Sequence, residues 1–157
     1  MLDDKVVPYI QICSLGTARE ADIEAYDGII TIENSEIEEP FRVESDYPPQ
    51  RVLMFDDIAA PIDNWVVAEE YHVRSALVFA RQWDQPSLLI HCHAGMSRSP
   101  AIALAILADC LGEGREDEAV KELIKVAPLC TPNMLVVNIS DRVLGRAGRL
   151  VDVVQNL

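Results

Sequence analysis

Cys92 and Arg98 lie six positions apart in the stretch SLLIHCHAGMSRSPA, residues 87–101, where a polar loop follows a short apolar run and precedes a long apolar one. A thiolate is a strong nucleophile. A guanidinium offers a planar fork of donors that fits a tetrahedral oxyanion and can hold it as phosphorus becomes trigonal bipyramidal. Six residues are enough for the loop to curl until Arg98 lies beside an anion held above the sulfur. These residue types suit attack on a phosphoryl group.

The setting of the loop favours the same chemistry. It ends where a helix is expected to begin, and a helix N-terminus presents unpaired N–H groups and roughly half a positive charge. Gly95 can take a positive φ and turn amides inward to line a nest, and Ala94 is small enough to allow it. His93, Ala94, Gly95, Met96, Ser97 and Arg98 are therefore the expected phosphate cradle, and Ser99 is expected to donate to the Cys92 sulfur. His91, at the end of the apolar run, reads as a hydrogen-bonding group that orients the loop rather than as an acid or base. His91 and His93 flank Cys92 but lack a second ligand pair at zinc spacing, so no metal site is expected.

The run HCHAGMSRS resembles the His-Cys-x5-Arg-Ser signature of the cysteine-based protein tyrosine phosphatases, and the short chain resembles their dual-specificity branch, bacterial members included. The resemblance implies a phosphocysteine intermediate, no cofactor, and an Asp general acid some thirty residues upstream of the cysteine, after a strand and before a helix. Leu53, Met54, Phe55, Asp56 and Asp57 match the apolar-x-apolar-x-Asp pattern there, which favours Asp57 as the acid over its neighbour Asp56. The likeness runs from the first strand to the Pro-Asn pair at Asn133, although only the His91 to Ser99 loop is specific by itself.

The elements that must position these residues can be read from periodicity. Tyr9 to Leu15, Gly28 to Ile32, Arg51 to Phe55 and Ser87 to Ile90 are short β-rich runs bounded by turn formers. Ile62, Val66, Val73, Ala76, Leu77, Ala80 and Trp83 share one side of a 3.6-residue spiral, which predicts an amphipathic helix between the last two strands. Pro100 to Leu111 is apolar all round, the pattern of a buried helix, and Gly112 and Gly114 stop it. Asp117 to Val126 and Asn133 to Leu144 are two further helices. Glu33 to Gln50, acidic and holding Pro40, Pro48 and Pro49, reads as a surface loop. The expected fold class is α/β, a central sheet of four to five strands packed between helices, with the cysteine loop between a strand and the central helix.

The composition bounds the rest. With 157 residues, half of them apolar, the chain is expected to form a single domain over 1–157. Thirteen Lys and Arg against 26 Asp and Glu leave a net charge of −13, which disfavours nucleic acid and anionic membranes as partners. No apolar run approaches the ~20 residues of a membrane span and no signal segment opens the chain, so a cytoplasmic protein is expected. Cys13, Cys110 and Cys130 read as packing thiols, with a disulfide from one of them to an oxidised Cys92 left open. Arg142, Arg146 and Arg149 read as a solvated face at helical spacing.

The expected partner is a phosphorylated protein or peptide, hydrolysed at phosphotyrosine and also at phosphoserine or phosphothreonine. The chain has no aromatic-bearing loop before its first strands of the kind larger phosphatases use to deepen the site, so a shallow, permissive one is expected. The cradle has no Lys, unlike that of phosphoinositide-cleaving relatives. The alternatives are a silent phosphate-binding pseudophosphatase and a phosphatase acting on phosphoinositides or other phosphomonoesters. Sulfurtransferases and arsenate reductases also use a loop cysteine, but at other spacings or chain positions.

Overall fold

A computed structural model describes residues 7–157. Four parallel strands, β1 (Tyr9–Cys13), β2 (Gly28–Glu33), β3 (Gln50–Met54) and β4 (Ser87–His91), form one sheet in the order β1-β4-β2-β3. Six helices accompany them: α1 (Leu15–Glu20), α2 (Glu70–Ala80), α3 (Arg98–Leu111), α4 (Glu116–Val126), α5 (Met134–Leu144) and α6 (Arg149–Gln155). The α/β class and the four strands agree with the sequence reading. No helix among the described residues is long and apolar enough to cross a membrane.

The two faces of the sheet are covered unequally. Ile30 and Ile32 on β2 and Leu88 and Ile90 on β4 alternate toward the main core, where they meet the buried faces of α2, α3, α4 and α5. Strand side chains alternate with period two, so Ile29 and Leu89 point the other way, into a smaller cluster with Phe41. Helix α3 is buried from Arg98 to Ala108, as its all-apolar composition demands, and ends at Gly112 in a positive-φ conformation. The 34–49 segment is more than a surface loop: Phe41 is buried edge-on to the His91 ring, and the Gln50 side chain donates to Thr31 Oγ1 and to Phe41 O.

Three expectations are corrected. The helix expected from Ile62 begins only at Glu70, because the preceding segment folds back on the end of β3: Asp56 N donates to Val66 O, and Val66 N donates to the Asp56 carboxylate. A capping box between Glu69 and His72 starts α2 instead. The first strand ends at Cys13 because Ser14 caps the short α1. Last, of Arg142, Arg146 and Arg149, expected as a solvated face, Arg142 and Arg149 are exposed but Arg146 is not. Arg146 is 4% exposed, pairs with the equally buried Glu116 at 2.6 Å, and donates to Ala108 O and Gly112 O at the end of α3; Arg149 pairs with Glu113 and Glu116. The carbonyls left unpaired at a helix C-terminus draw the guanidinium inward.

Parallel pairing in register places Cys13, His91 and Thr31 side by side. The loops that leave β1, β2, β3 and β4 therefore open on one edge, the carboxyl ends of the strands, where open α/β sheets form their ligand crevices.

Candidate active site

The segment after β4 passes from Cys92 to the first turn of α3 and is braced from outside. His93 O accepts from Leu15 N, Met96 O from Thr131 N, and Ser97 O from Asn133 N. With these carbonyls bonded outward, the loop has a fixed shape. Gly95 adopts φ +77°, and its N–H donates to Cys92 Sγ at 3.2 Å. A Cβ at this position would stand 2.7 Å from the backbone carbon and oxygen of Cys13, so only glycine fits between the loop and the end of β1. The expected donor to the sulfur, Ser99, does not fill that role. Its Oγ is buried with no partner among the described residues, and the inward-turned Gly95 amide takes its place.

Arg98 begins α3 and is buried. One guanidinium nitrogen is fixed by donation to Phe55 O at 2.8 Å, while Nε has no hydrogen-bond partner among the described residues. A buried guanidinium with an uncommitted donor is a ready seat for an oxyanion. Ser97 is the N-cap residue of α3, but its hydroxyl does not cap the helix; it donates to Asp57 Oδ1 at 2.9 Å. The first-turn amides of α3 thus lack a side-chain cap, and they supply the field expected at a helix N-terminus.

The two adjacent aspartates have different surroundings. Asp56 is buried and accepts from Ser35 N, Ser35 Oγ and Val66 N at 2.7 to 2.9 Å. Burial alone would raise its pKa, but those donors and the nearby Arg98 charge outweigh it and hold the carboxyl below its ordinary range. Asp56 is thereby a structural anchor tying the ends of β2 and β3 to Val66. Asp57 is exposed, lines the cavity, and receives hydrogen bonds on Oδ1 from Ser97 and from Asn133 Nδ2, the latter at 2.8 Å.

His91 supports the loop from below. Its Nε2 lies 2.8 Å from Thr31 Oγ1 and its Nδ1 3.4 Å from Cys92 O. Burial, opposed by the Cys92 carbonyl, lowers its pKa to about 4, so the ring stays neutral near pH 7. That fits the orienting role read from the sequence.

These groups line one cavity of about 510 Å³, shared by Cys92, His93, Ala94, Met96, Ser97, Arg98, Asp56 and Asp57, with Asn34, Ser35, Glu36, Asn64 and Trp65 at its other walls. The structure thus brings Cys92, Arg98 and Asp57 together. Sequence reasoning missed Asn133 as a partner of Asp57 and Trp65 as a wall of the cavity.

Solved structures share this arrangement of strands and helices. Tk-PTP in its active form superposes with a TM-score of 0.59 at 17% identity, over 87% of this chain and 90% of that one. DUSP15 gives a TM-score of 0.60 at 19% identity, over 97% and 94%. The fold is that of the dual-specificity phosphatases. PTPMT1 in complex with PI(5)P shares it at a TM-score of 0.53 and 16% identity, covering 88% and 94%. No family model matches the sequence, and no curated protein matches it. The phosphatase fold is therefore recognised through its three-dimensional course.

Proposed function

We propose that the chain is a cysteine-dependent phosphatase that hydrolyses phosphomonoesters on protein side chains, with Cys92 as nucleophile, Arg98 as phosphate clamp and Asp57 as general acid. The observation that carries this reading is the single cavity lined together by Cys92, the buried Arg98 and Asp57. The fold shared with dual-specificity phosphatases supports it.

In the first step the Cys92 thiolate attacks phosphorus in line, forming S–P as the ester P–O bond breaks. Ser97 and Asn133 occupy Asp57 Oδ1. Oδ2 then carries the proton passed to the leaving oxygen, a transfer that typically contributes ~10²–10⁴-fold. In the second step water forms a new O–P bond as S–P breaks. Its proton returns to the Asp57 carboxylate and inorganic phosphate leaves. Arg98 and the loop amides stabilise the equatorial oxygens in both steps.

His93, Ala94, Gly95, Met96 and Ser97 form the phosphate loop in this reading, with His91 and Ser99 in support. The cradle has no Lys and the chain is strongly acidic, which favours a protein substrate over a phosphoinositide. Hydrolysis of p-nitrophenyl phosphate in EDTA with inhibition by vanadate is the expected result, and Cys92→Ser is expected to abolish turnover while retaining phosphate binding. Undiminished turnover by Cys92→Ser removes the assignment; phosphate binding without turnover by the wild-type chain makes it a pseudophosphatase.

A further inference from the structure

Trp65 is an unusual residue for this cavity. Most of the other walls are polar: Asn34, Ser35, Glu36, Asn64, Asp57 and Ser97. Trp65 is 54% exposed and Met96 42% exposed, and both line the same space as Cys92 and Arg98. Leaving large apolar surface in water forgoes roughly 25 cal/mol for each Å² that could be buried. An exposed indole beside an anion seat is a surface suited to a ligand with an apolar face.

The backbone that carries the indole is held in place. Its chain neighbour Val66 is tied through both backbone groups to Asp56, each at 2.8 Å. Trp65 N donates to Ile62 O, closing a turn in which Asn64 takes φ +69°. Asp56 is in turn bonded to Ser35 and lies within the field of Arg98. The backbone of the wall and the clamp are therefore parts of one braced unit, so the indole is carried at a fixed point on the cavity rim. Preorganisation of this kind turns contact area into affinity.

A phosphate seated on Arg98 with a planar aromatic group on its ester oxygen can lay that ring against Trp65. The single Cβ that separates the ester oxygen from the backbone in phosphoserine and phosphothreonine offers no such face. We infer that Trp65 is a specificity-determining residue, stacking on the ring of a phosphotyrosine side chain so that aryl phosphomonoesters are selected over alkyl ones. The inference rests on the phosphatase reading of the same cavity. It replaces the shallow, permissive site expected from the sequence with one whose aromatic wall comes from the acid-bearing loop between β3 and α2. Glu36 at the cavity and the overall charge of −13 further favour substrate flanks that are neutral or basic.

The test uses the full chain and three peptides of one sequence carrying phosphotyrosine, phosphothreonine or phosphoserine. The wild type is expected to prefer phosphotyrosine, and Trp65→Ala is expected to lower the ratio of kcat/KM for phosphotyrosine over phosphothreonine on the order of tenfold, through KM, while Trp65→Phe keeps most of it. An equal loss on all three peptides, or an unchanged ratio, overturns the inference. A second arm titrates Cys92→Ser with free phosphotyrosine and phosphoserine and follows tryptophan fluorescence, with Cys92→Ser/Trp65→Phe as the control for Trp83. Quenching by phosphotyrosine alone, lost in the control, supports stacking; equal quenching by both, or none, overturns it. If no peptide is turned over, the phosphatase reading fails and the fluorescence arm alone decides the stacking.

Discussion

Asn133 Nδ2 donates to Asp57 Oδ1 at 2.8 Å, joining residues 76 positions apart. The same side chain donates to Ile58 O and accepts from Val136 N, while its backbone N–H donates to Ser97 O. One residue just before α5 therefore touches the loop of Asp57, the loop after Cys92 and its own helix. It fixes how the Asp57 carboxyl is presented to the cavity.

Asn133→Ala leaves Asp57 with only the Ser97 hydroxyl to orient it, and general acid catalysis depends on that orientation. A fall in kcat of at least ~10-fold on an alkyl phosphate is expected, with a smaller fall on p-nitrophenyl phosphate, whose leaving group needs little protonation. Asp57→Asn is expected to show the same contrast more strongly. Asp56→Asn is expected to act through stability, since its carboxylate holds three donors from the backbone and side chain of Ser35 and from Val66. Steady-state kinetics on both substrates, with melting curves, separates the roles; an Asp57→Asn enzyme with an unchanged leaving-group dependence would remove Asp57 as the acid.

Gly95→Ala places a methyl group 2.7 Å from the Cys13 backbone at a positive φ. A non-glycine residue in that region costs about 1–3 kcal/mol before the clash is counted. For a chain of this size that corresponds to a melting point lower by roughly 3–10 °C. The loop must shift to relieve the contact and pull its amide from Cys92, so phosphate binding is expected to weaken more than stability suggests. A calorimetric melt and a phosphate titration check both; normal affinity for phosphate would show that the loop is more pliant than its bracing implies.

Acid is expected to destabilise the fold in two stages. Burial lowers the His91 pKa to about 4 from an unfolded value of 6.5, and burial lowers His72 as well. Between those values the unfolded chain binds protons that the folded chain does not. The stability due to these rings is therefore complete above pH 6.5 and is lost as pH falls toward 4, by roughly 3 kcal/mol for His91. Asp56 and Glu116 also sit below their ordinary range, burial being outweighed by their hydrogen bonds and by Arg98 or Arg146. They add their loss only at the lower end of that window. His91→Asn is expected to flatten the fall in melting temperature between pH 6.5 and 4.5, and an unchanged slope in that variant would place the proton uptake elsewhere.

Much of this molecule was legible in its sequence because the relevant physics is local. The loop chemistry needs a cysteine, a glycine and an arginine at fixed separations, followed by a helix, and all of these are contiguous. The four strands and the buried helix α3 announce themselves through their own composition and period. Gly112 and Gly145 stop helices for a reason intrinsic to glycine, since both take positive φ.

What only the tertiary structure decided are relations between distant residues. Asp56 and Asp57 are neighbours of one type; the sequence pattern favoured Asp57, but only folding turned one onto Ser35 and Val66 and the other toward Ser97 and Asn133. Ile62 and Val66 had a helical period yet lie in a loop, because hydrogen bonds between Val66 and Asp56 outcompeted the helix. Arg146 had a surface pattern yet is buried, because the carbonyls at the end of α3 and the carboxylate of Glu116 compensate its charge. In each case a long-range hydrogen bond set the direction of a side chain, and no local period encodes such a direction.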